Sequence, residues 1–163
     1  MSPYRPDLVD CWIFRVTPSG AEILLIRRAP GRILPGLWQC VSGSLEGGER
    51  VALAALREVR EETGFDAATI EAFYDLDQVN QFHEPSVDAV LSSVIFAVRV
   101  RADAEPTLSH EHDAARWVPL DLAYDESIWP GYRESIARIR DHLLEPARAA
   151  WFELALDGSR VGS

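Results

Sequence analysis

The chain has 163 residues, 47% of them hydrophobic and 26% charged, with a formal net charge of −10. This is ordinary for one soluble globular domain, long enough to bury about two-thirds of its unfolded surface without staples. It excludes a disordered chain, a collagen and a disulfide scaffold; no apolar run is long enough for a transmembrane helix, and the acidic balance disfavours passive binding to a long nucleic acid.

All 16 basic residues are arginine, so a Schiff-base lysine and a P-loop lysine are excluded. Cys11 and Cys40 are far apart, fit no metal spacing, and read as reduced, partly buried thiols of a cytoplasmic protein. The opening MSPYRPDLVD is polar and reads as no signal peptide.

In chain order, residues 8–16 and 21–27 read as two strands joined by the turn Thr17-Pro18-Ser19-Gly20. A Pro- and Gly-punctuated loop over 28–37 leads to a short strand at 38–42 and a glycine-bearing loop at 43–48. Residues 49–63 form the clearest helix, with Ala52, Ala55, Leu56, Val59 and Thr63 along one stripe and Gly64 placed for a left-handed cap. Strands follow at 69–76, 87–101 and 115–118, with a polar loop over 105–113. Trp129-Pro130-Gly131 opens a last helix running to Leu144, with Tyr132, Ile136, Ile139 and Leu143 on one face. The tail, 145–163, is expected to dock in part through Trp151, Phe152, Leu154 and Leu156. Strands outnumber helices and are mostly hairpin-linked, so the class is α+β, with helices on a mixed sheet and a single domain over 1–163.

The chemistry lies in GSLEGGERVALAALREVREETGF, residues 43–65. Glu58, Glu61 and Glu62 stand at i, i+3 and i+4, within about 100° of one helix face, which the spacing places beside the apolar stripe and turned from it. Three like charges on one face repel, and a hard divalent cation removes that cost; Mg²⁺ accepts a few carboxylates together with a phosphate. Arg57 is placed to reach back and orient Glu49 through a bidentate pair.

These residues resemble the box of the Nudix hydrolase family. Gly43, Glu49, Arg57, Glu58, Val59, Glu61, Glu62 and Gly64 fill its fixed positions at the right spacing, with Phe65 where an aliphatic residue is commoner. The resemblance implies an α/β/α sandwich around a mixed sheet, and hydrolysis of a diphosphate bond in a nucleoside diphosphate linked to a further group. It implies Mg²⁺ as cofactor, with Mn²⁺ able to substitute. On this reading Glu58 and Glu62 are core metal ligands and Glu61 a further ligand or the general base. Glu49 is a water-linked ligand, the Ser42 carbonyl a further one, and Glu111 the distal acid from a later loop. Glu61, Glu62, Arg57 and Glu111 then carry catalysis.

His110 and His112 flank Glu111 and read as loop residues; with His83 and His142 isolated, no zinc site forms. Arg27, Arg28 and Arg32 are candidate phosphate holders, and Trp38 and Trp129 candidate stacking surfaces for a base.

The marks of the NADH-type members are absent. The proline that accompanies ADP-ribose would fall near Asn80, and the tyrosine that accompanies dinucleoside polyphosphates near Phe82. The stretch Leu37-Trp38-Gln39-Cys40-Val41-Ser42-Gly43-Ser44 is similar to the dATP and dihydroneopterin triphosphate pyrophosphohydrolase branch. A nucleoside or pterin triphosphate, cut to monophosphate and pyrophosphate, is therefore the expected substrate. A dinucleoside polyphosphate or another nucleoside diphosphate derivative is the alternative, and a non-catalytic nucleotide-binding module a further one. The expected partner is a small nucleotide rather than a membrane, and a homodimer is compatible.

Overall fold

The computed structural model describes residues 3–162. Residues 1, 2 and 163, included in the expected single domain and the N-terminal reading, lie outside the described residues. The elements run β1 (Leu8–Thr17), β2 (Gly20–Arg28), β3 (Trp38–Gln39), β4 (Val41–Ser44), α1 (Val51–Thr63), β5 (Ile70–Glu84), β6 (Ala89–Val100), β7 (His112–Pro119), α2 (Leu120–Glu126), α3 (Pro130–Arg138), α4 (Pro146–Ala149) and β8 (Glu153–Leu154).

One eight-stranded mixed sheet has the order β3-β2-β1-β6-β5-β8, with β4 beside β1 and β7 beside β2. The β1 and β6 strands are parallel and the other pairs antiparallel. Alternation along the strands builds two cores. Val9, Cys11, Ile13, Leu24 and Ile26 meet Ala55 and Val59 of α1 on one face. Trp12, Phe14, Ile23 and Leu25 meet Ala123 of α2 and Ile136 of α3 on the other. Each fully buried aliphatic or aromatic side chain contributes about 1.5–3 kcal/mol. The result is the expected α+β class and α/β/α layering. Among the described residues no helix is long and apolar enough to cross a membrane.

Several boundaries differ from the sequence reading. The α1 helix starts at Val51 rather than Glu49, because Glu49 closes the preceding turn: its carboxylate accepts from the Glu46 amide at 2.7 Å. Gly64 takes φ 75°, as a left-handed helix cap requires. The β5 strand runs past Leu76 to Glu84. A bulge at Asp77 (φ 52°) resets its phase, and Arg138 donates to the freed Leu76 and Asp77 carbonyls. The last long helix loses α geometry at Ile139 and ends in a π turn over Ile139–Leu143. The α2 helix was not anticipated; seven residues are too few to show a period. In the tail, Leu154 pairs with Phe73, whereas Trp151 is exposed and takes no part.

Candidate active site

A cavity of about 1790 Å³ opens between the carboxylate face of α1, the end of β4, the β5–β6 hairpin tip, the loop before β7 and the start of α3. Its walls hold Arg28, Ser42, Arg57, Glu58, Glu61, Glu62, Glu111 and Trp129, so eight of the sequence-derived candidates converge.

Glu62 occupies the innermost place. It is only 2% exposed, on the edge of the apolar stripe beside Val59 and Thr63. The expectation that all three carboxylates turn away from the stripe is therefore corrected for Glu62. An i, i+3, i+7 relation to Val59 and Ala55 carries it round toward the sheet. Its Oε2 has no hydrogen-bond partner, and His112 Nδ1, equally unpartnered, lies 4.0 Å away. Burial, then the charges of Glu58 and Glu111, push its pKa up to about 9, against a hydrogen bond from the Ser42 amide. Glu58 is also raised, by burial first, although Arg57 draws it back. Glu61 is half-exposed.

Arg57 ties the cluster to its loop. Its Nε and Nη2 grip Glu49 at 3.1 and 2.8 Å, as the sequence reading expects, and its Nη2 also donates to the Ser44 carbonyl at 3.0 Å. Its Nη1 donates to Glu58 at 2.7 Å and Glu61 at 3.2 Å. The Arg57 hydrogen bonds to Glu49, then that from the Glu46 amide, hold the Glu49 carboxyl down at about 2. Glu49 is thus a clamp for the glycine loop as the side chains stand.

His112 is buried, not a solvated loop residue: β7 begins with it, opposite Arg28. Burial, then the Arg28 charge, lowers its pKa. Gln39 Nε2 lies 3.1 Å from His112 Nε2. An amide nitrogen only donates, so His112 carries its proton on Nδ1, facing Glu62. His110 remains exposed on the cavity wall.

The other arginines divide by strand alternation. Arg28 turns into the cavity and donates to the Ile33 carbonyl. Arg27, its neighbour, turns out, pairs with Asp113 at 2.8 Å, and faces Trp38 across the β2–β3 ladder. Trp38 lies under the Arg116 guanidinium at 4.3 Å and packs on the core, so neither Arg27 nor Trp38 lines the cavity. Arg32 reaches Glu111 at 3.5 Å, and Trp129 stands at the mouth.

Sequence reasoning missed Asp10, Gln39, His112 and Tyr132. Asp10 is the informative case: it is the one charged residue in the buried run 9–14 and it lines the cavity. Burial pushes its carboxyl up to about 6, with the nearby Ser42 and Ser93 hydroxyls drawing it back down, so it is mainly a carboxylate at neutral pH.

The donor set fits a hard divalent cation. It is all oxygen, it carries mutually repelling carboxylates, and it includes an orphaned buried Glu62 oxygen. Among the described residues no three acidic, histidine or cysteine side chains already enclose an ion, since the Arg57 guanidinium supplies the local positive charge. A Cβ on Gly43 would meet Glu58 Cδ at 2.0 Å. Gly43→Ala is therefore expected to displace the flexible end of Glu58. The metal-free melting temperature should move little, while the rise caused by Mg²⁺ or Mn²⁺ is lost. Thermal melts with and without cation check this.

The family model for the NUDIX domain matches residues 7–139. An octanoyltransferase of Myxococcus xanthus is 39% identical over 120 residues; the match covers 72% of this chain and 32% of that protein, so the chain spans about a third of that relative. The nucleoside triphosphatase NudI of Escherichia fergusonii is 31% identical over 112 residues, covering 64% of this chain and 79% of that one. The solved dihydroneopterin triphosphate pyrophosphohydrolase of E. coli superposes with a TM-score of 0.68 at 23% identity, covering 82% and 94% of the two chains, a likeness of fold. With the NUDIX domain matched over residues 7–139, and with Glu58, Glu61 and Glu62 of the box lining one cavity while Arg57 ties Glu49 to them, the chain belongs to the Nudix family.

Proposed function

We propose that the chain is a Mg²⁺-dependent hydrolase, with Mn²⁺ able to substitute, that cuts a nucleoside or pterin triphosphate between the α and β phosphorus. Nudix hydrolases as a family act on nucleotide anhydrides and generally use a divalent metal. The observation that carries the reading is the buried, unpartnered Glu62 carboxyl beside Glu58 and Glu111, in the cavity that also holds Arg28.

The divalent cation, when bound, neutralises the polyphosphate and lowers the pKa of water. Glu58 and Glu62 would hold it, with Glu61, Glu111 and the Ser42 carbonyl as further ligands. Arg28 binds phosphate oxygens; it lies within electrostatic reach of both Glu62 and His112. Arg57 orients Glu58 and Glu61 and anchors the loop through Glu49. A glutamate, Glu61 or Glu62, takes the proton of the attacking water. The water oxygen joins the α phosphorus, and the bridging oxygen leaves with pyrophosphate. A base stacks on Trp129 at the mouth rather than on Trp38.

The likeness to the nucleoside triphosphatase NudI and to the E. coli dihydroneopterin triphosphate pyrophosphohydrolase supports a triphosphate. The cavity volume of about 1790 Å³ favours a second reading, a dinucleoside polyphosphate or other bulky nucleoside diphosphate derivative, since small-ligand pockets run about 300–1,000 Å³. A cytoplasmic place rests on the two unpaired, buried cysteines. A panel of nucleoside and pterin triphosphates, dinucleoside polyphosphates and nucleotide sugars, assayed for phosphate and pyrophosphate, tests the reading. Pyrophosphate from a triphosphate is the expected result; faster cleavage of a dinucleoside polyphosphate would replace the first reading by the second.

A further inference from the structure

The mechanism above leaves Asp10 unused. Residues 9–14 of β1 are buried, and five of the six are apolar. Among the described residues no arginine forms an ion pair with Asp10, so nothing on the protein neutralises it. A buried, unpaired carboxylate is costly unless a ligand or hydrogen bonds satisfy it. Asp10 has Ser42 and Ser93 beside it. A carboxylate has about four lone-pair sites, so acceptor capacity remains.

Its place is also specific. Asp10 alternates onto the β1 face of Trp12 and Phe14, the face roofed by α3. It pairs across the sheet with Ser42, whose amide reaches Glu62. Tyr132 of α3 stands close enough for the Asp10 charge to act on its phenol, and Trp12 meets the Tyr132 ring edge-on at 5.0 Å. Asp10, Ser42, Tyr132 and Trp129 all line the same cavity. The acid cluster and Asp10 therefore line one cleft, linked through Ser42.

We infer that Asp10 is the specificity-determining acceptor for the base, and that it selects a 2-amino-4-oxo edge, as in guanine or a pterin. That edge offers two adjacent donors, the ring N–H and the exocyclic amino N–H, which match the two carboxylate oxygens. Adenine offers one amino group flanked by acceptor nitrogens, which a carboxylate repels. This rests on the proposed nucleotide reaction for the base to be present at all, but its test does not require turnover.

The test is calorimetric binding of GMP, IMP, AMP and neopterin monophosphate to the wild type and to Asp10→Asn. IMP differs from GMP only in lacking the 2-amino group. The wild type is expected to bind GMP, the pterin, or both about 10-fold or more tighter than IMP, and the tighter of the two identifies the source. Asn offers one acceptor and one donor, so Asp10→Asn should erase the GMP–IMP gap and favour AMP. Equal binding of GMP and IMP by the wild type, a gap that survives in Asp10→Asn, or no measurable binding of either GMP or the pterin would overturn the assignment. Discrimination without cleavage of any triphosphate would uphold the Asp10 pocket and remove the proposed reaction.

Discussion

Glu61→Gln and Glu62→Gln are each expected to lower kcat by about 10²–10⁴-fold, the usual worth of a positioned general base. Their effects on stability should part company. Glu61 is half-exposed, and its glutamine variant should melt as the wild type does. Glu62 is buried with an orphaned oxygen, so at alkaline pH its neutral amide spares the metal-free fold the cost of holding a proton that the unfolded chain has released. The metal-free melting temperature of Glu62→Gln at pH 8.5 should therefore rise. For a chain of this size each kcal/mol gained is about 2–4 °C. Wild-type turnover in both variants, or a clear loss of stability in Glu62→Gln, would contradict this placement of Glu62.

The second large effect is on the pH dependence of stability. Glu62 has a pKa of about 9 in the fold against 4.5 for the free side chain. Between those values the unfolded chain has released the proton and the folded chain keeps it. Metal-free stability is therefore fully present below the lower value and falls as pH rises, by up to about 1.4 kcal/mol per unit from this one group. Asp10 titrates at about 6 and His112 is lowered from 6.5, so both lie below the slope of Glu62, which the raised Glu58 shares; the buried Cys11 and Cys40 thiols add to the fall only as pH nears 9, so the slope is read from pH 7 to 8. Saturating Mg²⁺ or Mn²⁺ should reverse the slope there, because the bound form needs the carboxylate and the gain grows as RT ln(1 + [L]/Kd). Glu58→Gln combined with Glu62→Gln should remove both the slope and the response to cation. Chemical denaturation at several pH values measures it; a cation response that survives the double substitution would move the metal site elsewhere.

The parts of the site legible in the sequence are those whose geometry is local. The spacing of Glu58, Glu61 and Glu62 is a property of one helix, and the Arg57–Glu49 clamp spans one loop and two turns. The hairpin of residues 8–16 and 21–27 was readable from two apolar runs around one turn. What was hidden depends on neighbours distant in sequence. His112 became a buried partner of Gln39 only through the β2–β7 and β2–β3 ladders. Asp10 became a cavity residue only because α3 roofs that face of β1. Conversely, Arg27 was grouped with Arg28 as a phosphate holder and Trp38 was read as a stacking surface, yet both turn from the cavity while their neighbours Arg28 and Gln39 line it; in extended chains adjacent side chains point to opposite faces. The continuation of β5 beyond Leu76 was masked by the bulge at Asp77, which breaks the period-two pattern.

Turnover in ¹⁸O-labelled water tests the central claim most directly. The acid cluster of α1 should direct water onto the α phosphorus of a triphosphate, so the label is expected in the nucleoside or pterin monophosphate. Pyrophosphate should stay unlabelled, and Glu62→Gln should incorporate almost none. Label appearing only in inorganic phosphate, or at the same rate in Glu62→Gln, would contradict the account.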